Sequence, residues 1–240
     1  MSVKNNIKVC FSTGQFEKYT DGVSTVVIVD LLRATSVIST AFECGVDAVI
    51  PVTNSSEALL YKNVDNHIIA AERNTLRLDG FDYGNSPYHY INSDVKGKTL
   101  VLTTTNGTKA IHLAKGHKVI TASFVNIDAV VTYLLQENND VIVLCAGWKG
   151  FFNLEDPIFA GALCEKLLNT NHFVSNCDAL YASIQLYSSA KDNLFEYLEV
   201  SSYRKRNMSH NVMKDTHFCL NPTILSAIVP VFVNGKLIAG

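Results

Sequence analysis

A chain of 240 residues is long enough to bury one large α/β core or two small ones, and 48% hydrophobic against 18% charged residues excludes a disordered or fibrous protein. A net charge of −2 supplies no basic face for nucleic acid or an acidic membrane, so any attraction for an anion must be local. Six cysteines without a CxxC pair and seven histidines without ligand spacing exclude a zinc or iron–sulfur framework. With no leader-like start and no apolar run of about 18 residues, the chain reads as cytoplasmic and spans no membrane.

Taken in chain order, short runs rich in Val, Ile and Leu at 25–30, 47–52, 67–71, 99–103, 118–122 and 140–145 predict strands. Stretches of helical period separate them, predicting helices at 34–44, 55–62, 107–115, 127–137 and 154–169. Asn54, Ser55 and Glu57 form a cap-like start for the second helix. The alternation implies an α/β fold with a mostly parallel sheet flanked by helices. Two units share one layout: strand, polar turn with Thr35 or Thr108, helix, Gly45 or Gly116, strand. The domain reading is a single α/β domain over 1–240, which the repeat would divide into similar halves, about 1–98 and 99–240. The stretch 72–98 breaks the alternation with Gly80, Asp82, Gly84, Asn85, Ser86 and Pro87, a loop long enough to suggest function. After Asn171 come a helical stretch at 179–190, a polar stretch at 201–215 and a terminal hairpin turning at Asn234-Gly235, read as a packed C-terminal extension.

Ligands of open parallel sheets bind beyond the carboxyl ends of the strands. There the sequence places Asp30 with Arg33, Thr35 and Ser36; Glu72 with Arg73; the run Thr103, Thr104, Thr105, Asn106, Gly107, Thr108; and Cys145 leading to Gly147, Glu155 and Asp156. Hydroxyls and amides at the start of a helix suit phosphate, so Thr104, Thr105, Asn106, Gly107 and Thr108 are the expected anion cradle. Arg33 and Arg73 offer planar forks for phosphate, carboxylate or sulfonate; either is equally readable as a salt-bridge residue, Arg33 with Asp30. Carboxylates beside a phosphate repel it unless a cation intervenes, and Mg2+ resolves the conflict with Asp30, Glu155 and Asp156 as ligands. The bland alternative for Glu155 and Asp156 is a favourable charge at a helix start. No GxxxxGK(S/T) or GxGxxG is present, Cys145 lacks the arginine of a thiol phosphatase, and Asp30 lacks a DxD partner.

Together DLLRAT from Asp30, the Glu72-Arg73 pair, GFDYGNSP from Gly80, TTTNGT from Thr103, Asn126, Ala146-Gly147 and Glu155-Asp156 resemble the 2-phosphosulfolactate phosphatase family. The resemblance implies a three-layer α/β/α fold and Mg2+-dependent hydrolysis of 2-phosphosulfolactate to sulfolactate and phosphate, a step toward coenzyme M. With it go Asp30, Asp156 and Arg33 as catalytic residues, and Arg33, Thr35, Arg73, Asn85, Ser86 and Thr104 to Thr108 around a small anionic phosphorylated substrate. The chain departs from the family at Ala70, Ala71 and Thr75, where glycines are usual, and at Tyr203, which stands where a histidine precedes a basic pair, here Lys205-Arg206. No catalytic histidine is assigned, His210 being out of register. Competing readings are a phosphatase for another small phosphorylated carboxylic acid and a non-catalytic sensor of an anionic metabolite; a homo-oligomer is compatible with either.

Overall fold

The hexapeptide Ser24–Val29 is buried at every position, as a strand covered on both faces requires. The computed structural model describes residues 4–20, 22, 24–73 and 75–240. Its strands are β1 (Asn5–Cys10), β2 (Ser24–Val29), β3 (Ala48–Pro51), β4 (His67–Arg73), β5 (Leu76–Arg77), β6 (Thr99–Thr103), β7 (Lys118–Thr121), β8 (Asp140–Cys145), β9 (Phe173–Val174), β10 (Pro230–Val233) and β11 (Lys236–Ala239). The helices are α1 (Ala34–Glu43), α2 (Ser55–Leu59), α3 (Tyr88–Ile91), α4 (Gly107–Leu113), α5 (Ile127–Glu137), α6 (Glu155–Asn169), α7 (Asp178–Ala190), α8 (Leu194–Tyr197), α9 (Ser202–Arg206) and α10 (His210–Leu220).

The described strands form one sheet in the order β5-β4-β6-β3-β11-β10-β7-β2-β8-β1-β9. Side chains alternate across it. Val27, Val29 and Val143 pack with Ile158, Phe159 and Leu163 of α6 and Leu134 of α5 on one face. Val26, Ile28 and Leu144 pack with Val37, Ile38 and Ala41 of α1 and Ile111 of α4 on the other. This is the three-layer α/β/α arrangement that the family resemblance implied.

The C-terminal hairpin is the part of the fold that differs from expectation. It does not lie against the body as an extension; it is the middle of the sheet. β10 pairs antiparallel with β7, β11 pairs antiparallel with β3, and the two pair with each other. Asn234 and Gly235 both take positive φ, 50° and 85°, as a two-residue hairpin turn requires. The hairpin thus joins two parallel blocks, β4-β6-β3 and β7-β2-β8-β1. Three antiparallel pairings in series make those blocks run in opposite directions.

In a flat sheet the carboxyl ends of β2 and β6 would then sit on opposite edges. Real sheets twist by about 20–25° per strand, so the five steps from β2 through β7, β10, β11 and β3 to β6 accumulate about 100–125°. The two ends swing toward each other. A Cβ placed on Gly107, the first residue of α4, would stand 2.7 Å from Cβ of Ala34, the first residue of α1. The repeat legible in the sequence is an exchange: β2-α1-β3 starts in one block and ends in the other, and β6-α4-β7 makes the reverse crossing. Among the described residues, no helix is long and apolar enough to cross a membrane.

Candidate active site

Where α1 and α4 begin, the surrounding loops enclose a cavity of about 390 Å3. Of the residues expected from the sequence, Asp30, Arg33, Asn85, Thr104, Thr105, Asn106 and Glu155 line it. Thr35, Arg73, Ser86, Gly107, Thr108 and Asp156 do not.

Each of these six has an identifiable task. Thr35 closes the β2–α1 turn, its N–H donating to Asp30 O at 3.0 Å and its hydroxyl accepting from Asp30 N–H at 3.3 Å. Thr108 does likewise in the second turn, its N–H donating to Thr104 Oγ1 at 3.2 Å and its hydroxyl donating to Thr104 O at 3.2 Å. Gly107 is needed for closeness, because a Cβ there would also stand 2.8 Å from Asp30 Oδ2. Ser86 donates to Asp215 Oδ1 at 2.6 Å. Arg73 is exposed and donates to Glu72 O at 2.7 Å. Asp156 is fully buried behind the wall, accepting from the Leu31 and Gly147 N–H groups at 2.9 and 3.1 Å. Asn126 also lies elsewhere, its amide donating to Thr121 O and Ile228 O to pin the hairpin strands.

The hydroxyl-rich turn departs from the expected open cradle. Thr105 donates both its N–H and its hydroxyl to Glu72 Oε1, at 3.2 and 2.7 Å. Asn106 Oδ1 accepts from Lys149 N–H at 3.2 Å. The turn is locked by a carboxylate from β4, and Glu72 is a wall residue absent from the expected site. Its other oxygen accepts from Thr75 N–H at 3.0 Å. Thr75 sits at φ 66°, the left-handed region that favours glycine, so a threonine there carries a steric cost.

Arg33 is not the partner of Asp30. Its guanidinium pairs with Asp215, and both side chains are buried. Arg33 Nη2 also donates to Thr75 O at 3.1 Å. The carboxyl partner of Arg33 thus comes from α10, a region whose polar sequence gave no such signal. Arg206, at the end of α9, stacks on Trp148 with 4.4 Å from guanidinium carbon to ring centre and supplies the second cation of the wall. The only hint of it in the sequence was the Lys205-Arg206 pair.

Asp30 ends β2 and Glu155 and Asp156 open α6, so the two elements bring three carboxyl groups together. Burial is the main cause of their raised pKa values, followed by repulsion from one another. Asp30 is pushed up to about 8, Glu155 to about 7 and Asp156 to about 7. The carboxyl groups of Asp30, Glu72 and Glu155 share the cavity wall with the guanidinium groups of Arg33 and Arg206. Ionising the raised carboxyls together calls for a cation between them.

Buried oxygens without a hydrogen-bond partner collect at the same place. Among the described residues they include Asn85 Oδ1, Asn153 Oδ1, Glu155 Oε2 and Tyr203 OH, all on residues that line the cavity. Such atoms are costly unless a ligand completes them. No three His, Cys, Asp or Glu side chains among the described residues form a ready-made metal cage. Mg2+ does not require one, since it takes one or two carboxylates and keeps waters and phosphate oxygens for the rest. Asp30 and Glu155 can serve as the carboxylates, while Glu155 Oε2 and Asn153 Oδ1 are acceptors left open for a hydrated cation. The donor set is all oxygen, which fits a hard cation and not a thiophilic one.

The 2-phosphosulpholactate phosphatase family profile matches residues 10–235. A protein of Caldanaerobacter subterraneus subsp. tengcongensis named "Probable 2-phosphosulfolactate phosphatase" is 40% identical over 214 residues, covering 88% of each chain. Proteins with the same name from Thermotoga maritima and Clostridium acetobutylicum are 39% and 35% identical, covering 89% of this chain in both cases and 91% and 92% of their own. With the fold, the motifs and their spacing in agreement, the chain belongs to the 2-phosphosulfolactate phosphatase family.

Proposed function

We propose that this protein is a Mg2+-dependent phosphatase that hydrolyses 2-phosphosulfolactate to sulfolactate and inorganic phosphate, a reaction of the coenzyme M type. The observation that carries the reading is the meeting of buried, mutually repelling carboxyls, two arginines and partnerless oxygens in one small cavity of a family member. An ester carrying about four negative charges needs more positive charge than two guanidinium groups supply. Asp30 and Glu155 would hold the Mg2+, with Asp156 behind them fixing the Leu31 and Gly147 backbone. Bound there, Mg2+ supplies the charge that draws a phosphoryl group between carboxylates and stabilises its oxygens during transfer.

The chain's own groups position the reactants, which is most of what phosphoryl transfer asks of a protein. Arg33 is fixed by Asp215 and Thr75 O and retains N–H groups for an anionic arm of the substrate. Thr104, Thr105 and Asn106 form the wall beside the phosphoryl group, with Glu72 holding that wall in place. Asn85 faces the cavity through an unpartnered amide oxygen. Asp30 is the carboxylate available to orient the attacking water, because it lines the cavity while Asp156 lies behind the wall with both oxygens held by backbone N–H groups. Water enters in line with the departing sulfolactate oxygen, which leaves with a proton.

The experiment is phosphate release from purified protein across a panel of 2-phosphosulfolactate, phospholactate and phosphoglycerate, with Mg2+ and with chelator. Release that is fastest with 2-phosphosulfolactate and lost on chelation is expected. Faster turnover of a phosphoester without sulfonate would move the substrate, and ligand-induced stabilisation without any release would make the chain a binding protein.

A further inference from the structure

Among the described buried oxygens without a partner on the cavity wall, the Tyr203 hydroxyl is the one that can donate a hydrogen bond. The side chain is 5% exposed, and the residue lines the same cavity as Arg33 and Glu155. Thr216 is near it, but outside hydrogen-bond geometry, and the Thr216 hydroxyl already donates to Val212 O at 2.7 Å. The other partnerless oxygens of the cavity, on Asn153 and Glu155, are acceptors and suit a hydrated cation. A phenol offers the reverse: an O–H aimed at an acceptor.

We propose that Tyr203 is a specificity-determining residue whose hydroxyl donates a hydrogen bond to the non-reacting carboxylate or sulfonate of the substrate, beside Arg33. This rests on the reading of the cavity as the phosphatase site. Three features support the assignment. The electrostatic neighbours of the phenol are Arg33, Cys219 and Glu155, so it shares its surroundings with the cation that would hold an anionic arm and the carboxylate that would hold Mg2+. Burial pushes the phenol pKa further above its ordinary value, so the group stays a neutral donor across the physiological range. Thr105 and Asn106 lie on the β6–α4 turn, and Tyr203 reaches the cavity from α9, which leaves the phosphoryl group to the turn and the other arm to the phenol. A neutral donor also discriminates: it strengthens binding of a ligand with an acceptor at that spot and leaves a desolvated hydroxyl in a ligand without one.

The test is Tyr203→Phe in the full chain, which deletes a single oxygen and keeps the ring. Losing a hydrogen bond to a charged group is expected to weaken inhibition by sulfolactate and raise KM by about 10–100-fold, with inhibition by inorganic phosphate and kcat unchanged. Because a buried hydroxyl without a partner is removed, the ligand-free Tm should hold or rise. A purely structural role moves that readout the other way, so a lowered Tm or a variant that does not fold overturns the proposal. Unchanged sulfolactate inhibition overturns it, and so does an equal loss of phosphate inhibition, which would place the hydroxyl on the phosphoryl group or the cation. Thermal stabilisation by sulfolactate is followed on both proteins independently of turnover. A wild-type chain that is stabilised by sulfolactate more than the variant yet releases no phosphate would sink the phosphatase reading alone; wild-type chain indifferent to sulfolactate would sink this one.

Discussion

The two turns that meet at the cavity, 30–35 and 103–108, solve one backbone problem in the same way and are chemically opposite. Each leaves a buried parallel strand, closes on a threonine near the start of a helix, and brings that helix to the same point, Ala34 against Gly107. The first carries Asp30 and Arg33, a carboxyl and a guanidinium group on the cavity wall. The second carries hydroxyls and an amide, and most of its donors are already taken by Glu72 and Thr104. The similarity is a folding solution that the pseudo-symmetric crossings impose; the difference divides the work. The charged turn is where chemistry is expected to reside, and the hydroxyl turn is a rigid wall that shapes it.

Asp30→Asn is the sharpest way to break the comparison. Loss of a carboxylate that would hold the cation and orient water should lower kcat/KM by several kcal/mol, about 10^2–10^4-fold. Yet the ligand-free protein should be no less stable, since one member of a repelling buried cluster is neutralised. Phosphate-release kinetics and thermal melts on the same preparation check both halves, and undiminished turnover would remove the charged turn from the chemistry.

Acidity separates the two turns next. Asp30, Glu155 and Asp156 have folded pKa values of about 8, about 7 and about 7, against about 4 in an unfolded chain. Between those limits the folded protein binds more protons than the unfolded one. The stability these groups contribute is therefore complete below about pH 4 and is lost as pH rises to about 8. With chelator present, Tm should fall between about pH 5.5 and about pH 8.5. Mg2+, which binds the ionised carboxylates, should restore stability most at the higher pH. The hydroxyl turn has nothing to titrate, so replacing Thr105 with Val leaves that pH profile in place.

Gly107→Ala tests the closeness of the turns. Its methyl would press on Ala34 Cβ and Asp30 Oδ2, at 2.7 and 2.8 Å, and on Asp30 Cβ at 3.2 Å; the two Cβ atoms cannot rotate away. Overpacking of this kind costs about 1–3 kcal/mol, seen as a fall in Tm of about 2–4 °C per kcal/mol. A neutral result would mean that the turns separate freely.

How much of this was legible depends on whether the signal was local. Thr99–Thr103, Asp140–Cys145 and Ile127–Glu137 occupy the residues that hydrophobic period assigned to them. β1 escaped notice because Asn6 and Lys8 alternate with Ile7 and Val9, a half-buried pattern among strands that were recognised as continuous apolar runs. The Asn234-Gly235 turn announced a hairpin, but its insertion between β7 and β3 rests on Val231 opposite Ile120 and Leu237 opposite Val49. Those pairings join residues more than a hundred positions apart, and no local pattern encodes them. The same holds for the site. Asp30, Arg33 and Glu155 are visible because they follow the carboxyl ends of strands, where open parallel sheets bind ligands. Tyr203, Arg206 and Asp215 come from α9 and α10, whose sequence resembles any polar surface stretch. Their place over the cavity follows from distant contacts such as Asp215 with Arg33 and Arg206 stacked at 4.4 Å on Trp148.

The two arginines read alike from sequence give the finest discrimination, and the second of them the smallest effect. Arg33 is buried, paired with Asp215 and on the cavity wall, so Arg33→Ala should cost about 1.5–3 kcal/mol in transition-state binding. It also leaves Asp215 an unpaired buried charge. Arg73 is exposed, lies off the wall and is held by the backbone oxygen of its own neighbour. Arg73→Ala should leave stability within about 0.5 kcal/mol and kcat/KM within about twofold. The measurement is one substrate titration on each variant at the same Mg2+ concentration. If Arg73→Ala instead raises KM tenfold, its guanidinium reaches the bound substrate in a conformation where β5 folds inward. The charge deficit of the wall would then be met by three arginines, and the hydroxyl turn would share the anion with a group supplied by the strand beside it.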